Sequence, residues 1–494
     1  MSSWIRSTAR CTAAPAAAAL AAAALLSGCV VGPSFTGVKA PQTARYTSAP
    51  LSNLTAAEGV TLDSALPPPA QWWSVLDSPQ LDVTIRAALA GNRDLAAARA
   101  RLAQAQELIG VAEAAEYPNV DIDGTAGRVK YGPAFLGPEK LPPFTFYSVG
   151  PSVSYTFDYL GGAHRSVEQQ RALAQSQGEQ LQAAALALSG NVAMQALLAA
   201  SARSQIDTLQ AVLNDDRRNL QLVQDAFTAG GATRVDILNA QSQLTTDQTL
   251  MPPLRRELSL AVDALALLVG RPPADWPAPS FQLDQFHLPP QLPLSLPSEL
   301  AHRRPDIAAA EARLHAATAA VGVASANLYP QISLSGNASF ESTALRSLFN
   351  IGGIGAGVTA GLTAPLFDHG ALRAKQRAAV DEMHAALADY QQAVLGAFRQ
   401  VADALQGLDH DQELLQSERS ALATSTQNLD LTRQSYAAGN SGVLQVLDAQ
   451  RQNQQARLGL VRAQAQRLQD AVQLLLALGG DLPASQAAAA GSGA

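Results

Sequence analysis

Four stretches of this chain alternate apolar and polar side chains strictly, and helical units without sheet partners separate them. In 119–127, Val120, Ile122 and Ala126 alternate with Asn119, Asp121, Asp123 and Thr125. In 148–158, Val149, Val153, Tyr155 and Phe157 alternate with Ser148, Ser152, Ser154, Thr156 and Asp158. The runs 331–340 and 354–366 repeat the pattern, with Ile332, Leu334, Ala338 and Phe340 in one and Ile354, Val358, Leu362 and Leu366 in the other. Period two gives a strand one apolar and one polar face. Each run has about the 9–11 residues that a transmembrane strand needs. A soluble half-buried sheet alternates in the same way, but here the polar faces are small and, a few Asp apart, uncharged. Four strands cannot close a barrel, and lipid does not tolerate an open sheet edge. If the strands span, several chains must share one barrel. Two copies give eight strands and an interior filled by side chains, whereas three copies give twelve and leave a channel. The small polar faces favour twelve.

The strands come in pairs because the body of the chain is two copies of one unit. Glu116-Tyr117-Pro118 matches Leu328-Tyr329-Pro330 at an offset of 212, and Asn92-Arg93-Asp94 matches Arg304-Pro305-Asp306 at the same offset. Phe157-Asp158 matches Phe367-Asp368 at 210, Phe227 to Gly230 matches Tyr436 to Gly439 at 209, and Gly270 matches Gly479 at 209. A first repeat over 79–270 and a second over 298–480 follow. Between them, 271–297 holds eight prolines. Proline fixes φ and removes a donor, so an extended connector is expected there. Residues 29–78 read as an extended N-terminal segment and 481–494 as a disordered tail. Within the repeats, strands are expected near 117–130, 145–158, 329–341 and 352–367.

Long helices fill the rest of each repeat. No proline occurs from 152 to 251 or from 366 to 482. Ile206, Leu209, Leu213, Leu220, Val223 and Phe227 mark a heptad seam, and Leu415, Leu422, Leu429 and Tyr436 fall in the same phase. The returning helix carries Leu458, Val461, Ala465, Leu468, Val472 and Leu475. Apolar residues every 3.5 positions are a coiled-coil signature. The seams stop at Ala229-Gly230-Gly231-Ala232-Thr233 and Ala438-Gly439-Asn440-Ser441-Gly442. Glycine after a periodic run ends a helix. Thr233 and Ser441 are then expected to cap the returning helices. Each repeat thus ends in a hairpin tip.

The first 28 residues read as an export signal. Arg6 and Arg10 precede an apolar run from Ala13 to Leu26, which is of signal-peptide length. It ends in Leu26-Ser27-Gly28-Cys29, which resembles a bacterial lipobox. By that resemblance Cys29 carries diacylglycerol and an N-acyl chain. The other cysteine, Cys11, lies in the discarded segment, so the mature chain forms no disulfide. Net charge is −7 and charged residues make up 15%. A nucleic-acid partner, which calls for a clustered basic face, is not expected.

Taken together, these residues resemble the outer-membrane efflux factor family of the TolC/OprM/NodT type. The resemblance rests on the lipobox followed by Val31-Gly32-Pro33 and on the stretch from Trp72 to Leu81. It rests also on Arg304-Pro305-Asp306-Ile307 with Glu311, on Ala397 to Val401, and on Ala438-Gly439 with Val446-Leu447-Asp448. It covers essentially the whole mature chain. It implies a mainly α fold with membrane β: a homotrimer whose twelve-stranded outer-membrane β-barrel, four strands per chain, stands on a long periplasmic α-helical barrel. It implies a passive exit duct for drugs or other small solutes, without cofactor or catalysis. The duct would be lipid-anchored in the outer membrane and served by a periplasmic adaptor and an inner-membrane pump, commonly of the resistance-nodulation-division class. By the same resemblance Ala229, Gly230, Gly231, Thr233, Ala438, Gly439, Asn440, Ser441 and Gly442 form tips that meet the adaptor. Asp236, Asn239, Gln445 and Asp448 line or latch the periplasmic aperture. Gln445 stands where that family is often acidic, so a double acidic ring is not expected.

Two other readings use the same features: the exit duct of a type I protein-secretion system, and a coiled-coil lipoprotein that spaces the envelope. The alternating strands speak against the spacer. Enzyme signatures are weak. The chain has no phosphate loop and no HExxH, its seven His are scattered, and Gly353 to Gly357 lack a surrounding dinucleotide fold.

Overall fold

The computed structural model describes residues 30–38, 43, 45–48, 51, 54, 61–63, 71–131, 142–294 and 297–480. Cys29 and the tail after 480 lie outside the described residues. The chain divides into two compact units. One contains the residues up to Val38 with Ala103–Ser176 and Ala310–Asp389; the other contains Lys39–Leu102, Gln177–Ala309 and the residues from Tyr390 on.

The first unit holds an antiparallel four-stranded sheet. Its strands are β2 (Asn119–Val129), β3 (Phe144–Phe157), β5 (Gln331–Ser342) and β6 (Ile354–Thr363), paired in that order. The register keeps all four alternations in phase. Val120 faces Val153, Val153 faces Gly336, and Gly336 faces Val358. On the same face Tyr155, Leu334 and Ala360 form a row, as do Phe157, Ile332 and Leu362. The opposite face carries the row Asp121, Ser152, Asn337, Gly357 and the row Asn119, Ser154, Ser335, Thr359. A slip of one residue at any pairing would move a whole strand's apolar set to the polar side. The pattern inverts beyond Thr125: Val129 pairs Phe144 and Gly127 pairs Phe146 on the polar side, with Arg128 opposite Thr145 on the other. The apolar band ends there. Pro151 interrupts the β3 ladder, and a Cβ on the adjacent Gly150 would collide with the Ala338 carbonyl, so only glycine fits.

Helices enter this sheet through capped ends. Asp158 accepts the His164 amide at 2.9 Å at the start of the helix Gly162–Thr228. Asp368 accepts the Leu372 amide at 2.7 Å and the Gly370 amide at 2.9 Å at the start of Ala371–Ala437. The matched Phe-Asp pairs of the two repeats are therefore helix caps. The segment 30–38 is tied to the same unit. Val31 donates to the Leu160 carbonyl at 3.0 Å, Gly32 (φ +100°) sits against Gly322, and Phe35 stacks on His315 with ring centres 4.5 Å apart.

The second unit is helical. Its elements include α1 (Pro79–Gly91), the start of α2 (Arg93–Ala114) and most of α3 (Gly162–Thr228). The returning helix of the first repeat is split into α4 (Arg234–Gln248) and α5 (Met251–Val269), with Pro252 and Pro253 in the first turn of α5, where proline is tolerated. After the short α6 (Pro297–Arg303), α7 (Pro305–Ala326) opens the second repeat, followed by α8 (Ala371–Ala437) and α9 (Val443–Ala477). At 67 residues, α3 and α8 are each about 100 Å long. An 18-residue window of α3 has mean hydropathy 1.5. Its apolar side chains Val192, Ala193 and Leu197 are spent inside the protein core.

That core joins Trp72, Trp73, Leu76, Leu81 and Ile85 to α3, α5 and α9. The Trp72 ring nitrogen donates to Ser189 Oγ at 3.0 Å and that of Trp73 to Asp82 Oδ1 at 2.9 Å, so both buried indoles are satisfied. The proline-rich connector is packed against the helices. Phe281, Leu283 and Phe286 are buried in the same core, and Gln291–Pro293 (β4) pairs in parallel with Thr61–Asp63 (β1). Proline density excludes a long helix there, but the aromatics pull the connector inward.

The two repeats close their returning helices in one way. Asn92 donates to the Leu268 carbonyl of α5 at 3.0 Å, and Arg304 donates to the Ala477 carbonyl of α9 at 2.8 Å. Leu268 and Ala477 are themselves 209 residues apart. Both carbonyls lie at helix C-termini, where intrahelical partners run out. Gly270 and Gly479, both at positive φ, end the helices beside them.

Candidate functional site

The tips are built from two identical stops. At the end of α3, the Gly230 amide donates to the Phe227 carbonyl and the Gly231 amide to Ala226. At the end of α8, Gly439 donates to Tyr436 and Asn440 to Ser435. Gly230 and Gly439 take φ of +80° and +75°. This pair of bonds around a left-handed residue satisfies the last carbonyls of a helix.

The returning halves differ. Thr233 caps α4: its Oγ1 accepts the Asp236 amide at 3.2 Å, while Asp236 Oδ2 accepts the Thr233 amide at 2.7 Å. The Thr233 hydroxyl, which also donates to Asp236 Oδ2 at 2.7 Å, and then the Thr233 amide hold the Asp236 carboxyl below the ordinary carboxylate range. In the second tip the cap position is Gly442, with no side-chain bond, and Ser441 stands one residue before it. Ser441 Oγ finds no partner among the described residues. The expectation that Ser441 caps α9 is thus corrected. The residue matching Thr233 at the 209 offset is Gly442, which has no hydroxyl.

The four residues expected at the aperture form two matched pairs, Asp236 with Gln445 and Asn239 with Asp448, and each repeat supplies one acid at a different helix position. Asp236 is engaged in its cap. Asp448 is exposed and pairs with Arg451 at 2.6 Å. The hairpins meet beneath the tips through Val223, Ile237, Ala240 and Val443. Outside this contact each hairpin presents a matched apolar pair, Leu222 with Val235 and Leu431 with Leu444; Leu222 and Leu431 are 60% and 57% exposed. These four residues and Arg451 were not singled out in the sequence. The 209 offset pairs Leu222 with Leu431 and Val235 with Leu444, but their exposure, like the Arg451 pairing, appears only in the fold.

In the sheet unit both faces are solvent-accessible and the outer edges of β2 and β6 are unpaired among the described residues. Ile122 on β2 is 80% exposed and Val358 on β6 81%. Apolar exposure on this scale marks a surface made for a partner or a membrane. The polar face is lined by hydroxyls, amides and glycines. It presents small neutral groups and the acids Asp121, Asp123 and Glu341, with Ser152 Oγ donating to Asp123 at 2.6 Å and Ser339 Oγ donating to Glu341 at 3.0 Å. Val30, which follows Cys29, packs against Gly161 just past the end of β3. No cluster of three or more metal-ligating side chains occurs among the described residues.

Comparison with known proteins agrees with this geometry. The family description "Outer membrane efflux protein" matches residues 84–271 and 296–480, the two repeats. The chain is 32% identical over 461 residues to the pyoverdine export outer membrane protein OpmQ of Pseudomonas aeruginosa, covering 92% of this chain and 94% of that one. It is 29% identical to the toluene efflux pump outer membrane protein TtgI of Pseudomonas putida, covering 94% and 97%. Its fold superposes on the outer-membrane channel OprN with a TM-score of 0.82 at 28% identity, covering 92% of this chain and 99% of that one. The chain belongs to the outer membrane efflux protein family and is an outer-membrane protein.

Proposed function

We propose that three copies of this chain close a twelve-stranded barrel in the outer membrane and form a passive exit duct for small solutes arriving from the periplasm. One observation carries this reading. As far as Thr125, the open four-stranded sheet keeps an apolar face and a small polar face in register across its strands, and it leaves both edges unpaired among the described residues. Closure with neighbouring copies satisfies the edges, turns the apolar face to lipid and the polar face to water. Twelve strands leave a lumen open to solute. The lining needs only to be wet and unselective, as its Ser, Thr, Asn and Gly side chains are.

Energy comes from elsewhere in such an arrangement. An inner-membrane pump of the resistance-nodulation-division class and a periplasmic adaptor are the partners that the family resemblance implies, and a relative named as part of a toluene efflux pump supports the pump. Relatives named for pyoverdine export and toluene efflux favour small organic cargo over protein secretion. The tips around Ala229 to Thr233 and Ala438 to Gly442, flanked by Leu222, Val235, Leu431 and Leu444, form the adaptor-facing end. Three copies of Asp448 around one axis place a ring of carboxylates at the periplasmic aperture, which the adaptor holds open. Cys29 carries the lipid. Its neighbour Val30 rests at the foot of β3, within reach of the membrane-facing side of the sheet.

The test is reconstitution. Purified protein in planar bilayers should conduct as a trimer, and Cys29→Ser should remain trimeric while losing labelled palmitate. A protein that never conducts, or that incorporates label without Cys29, contradicts the duct and the anchor respectively.

A further inference from the structure

Two pairs of aspartates lie inside the helix hairpins, and neither pair takes part in the tips or the sheet. In the first repeat Asp216 of α3 meets Asp247 of α4. Asp216 is 2% exposed. Its Oδ1 accepts two amides from α9, Gln450 and Gln454, each at 3.0 Å. Its Oδ2 is buried without a donor. Asp247 accepts Gln243 at 2.8 Å. In the second repeat Asp411 of α8 meets Asp470 of α9. Again Oδ2 of the buried member, Asp411, has no donor, while Asp470 accepts Gln466 at 3.1 Å.

A buried carboxylate oxygen that faces a second carboxyl and lacks a donor is costly. A carboxyl proton would satisfy it, since two carboxylates at contact distance cannot both ionise freely. The amides also decide against a metal ion in the first pair. Three Gln side chains point donor groups at these oxygens, where a cation would need lone pairs.

We propose that each hairpin is pinned by one proton shared between its outgoing and returning helices, through Asp216–Asp247 and Asp411–Asp470, and that loss of these protons loosens both hairpins. The two pairs are not repeat equivalents: at the 209 offset Asp216 falls on Ser425, and Asp411 on Ala202. The arrangement has thus arisen twice, once in each hairpin. Burial first, then Asp247, pushes Asp216 up to about 7; burial first, then Asp470, does the same for Asp411. Other charges face these groups. Asp215, beside Asp216, adds to the rise and is paired with Arg218 at 3.0 Å and with Arg457 of α9 at 3.9 Å. Arg467 of α9 opposes the rise at Asp411 and is itself pushed down by burial and then by Arg419.

The sign follows from linkage. The folded hairpins bind these protons more tightly than the unfolded chain does. Stability therefore falls as pH rises from the ordinary Asp range to about 7 and then levels off. Both pairs therefore give up their protons around neutral pH and not in the ordinary Asp range. In the assembled duct, hairpins that loosen above neutral pH yield more readily at their tips. That consequence rests on the proposed duct, whereas the shared proton does not.

Infrared difference spectra of the full-length trimer in detergent test the proton directly, with Asp216→Asn, Asp411→Asn and the double variant alongside. Wild type should show a protonated-carboxyl stretch at pH 6 that vanishes by pH 8. Each single variant should lose part of it and the double variant all of it. The double variant, whose amides replace the shared protons, should also melt at the same temperature at both pH values. A wild type without the band at pH 6, a band untouched in the double variant, or a band removed by calcium or magnesium would overturn the proposal. Bilayer conductance measured on the same samples separates the two readings. A conducting trimer without the band refutes only the proton, and a non-conducting protein with the band refutes only the duct.

Discussion

The two repeats share their scaffold and differ at their working ends. Both enter their long helix through an Asp cap after Phe, both stop it with glycine in the left-handed region, and both clasp the C-terminal carbonyl of the returning helix. Yet Asn92 in one repeat is Arg304 in the other, and Thr233 in one is Gly442 in the other. Positions that fix helix ends keep their role while their chemistry changes. Positions at the tips change role altogether. The first tip is locked by a capping box that occupies its acid. The second is uncapped and leaves its acid, Asp448, exposed beside Arg451. The second hairpin is therefore the looser of the two at its end.

The clasps give the largest contrast. Arg304 is buried and bonds Ala477, Asp306 and Gln400. Arg304→Ala should cost about 3 kcal/mol, because a charged donor is lost and a buried carbonyl is orphaned. Asn92→Ala should cost about 2 kcal/mol, since it removes one donor and the cap on Leu95. Chemical denaturation of the two variants checks the order, and equal costs would undo the distinction. The caps come next. Thr233→Ala should cost about 1 kcal/mol. Gly442→Thr should add about 0.5 kcal/mol, because its φ of −88° suits any residue and Gln445 stands ready at the third position. Hydrogen exchange in the first turns of α4 and α9 reads both, and these changes should make the two tips alike. The smallest energies concern charge. Asp448→Ala should raise single-channel conductance or antibiotic leak, whereas Asn239→Ala, its match in the first repeat, should change neither. Unchanged conductance in both would remove the gate from Asp448.

Much of this arrangement was legible because it is periodic. Period two gave the strand faces, and the register then aligned them without exception as far as Thr125. The inversion at Val129 and Phe144 lay outside the runs read as alternating and appeared only with the pairing. The offset near 210 exposed matching residues without revealing what they do. Asn92 and Arg304 read as landmarks, and only the fold shows the carbonyls they hold. Ser441 read as a cap because hydroxyls cap helices, but the turn places Gly442 at that position. The connector reads as an extended link because proline dominates its composition, while Phe281 and Phe286 decide where it packs. The aspartate pairs left no local trace. Their members lie 31 and 59 residues apart, on opposite strokes of a hairpin, and only burial distinguishes them from any surface Asp.

Duct, gate and docking end all depend on shared closure of the sheet. The mass of the detergent-extracted protein, measured under native conditions, tests it most directly. Three chains per particle, with the outer edges of β2 and β6 protected from exchange, is the predicted result. A single chain that keeps its four strands, with those two edges open to solvent, would contradict it.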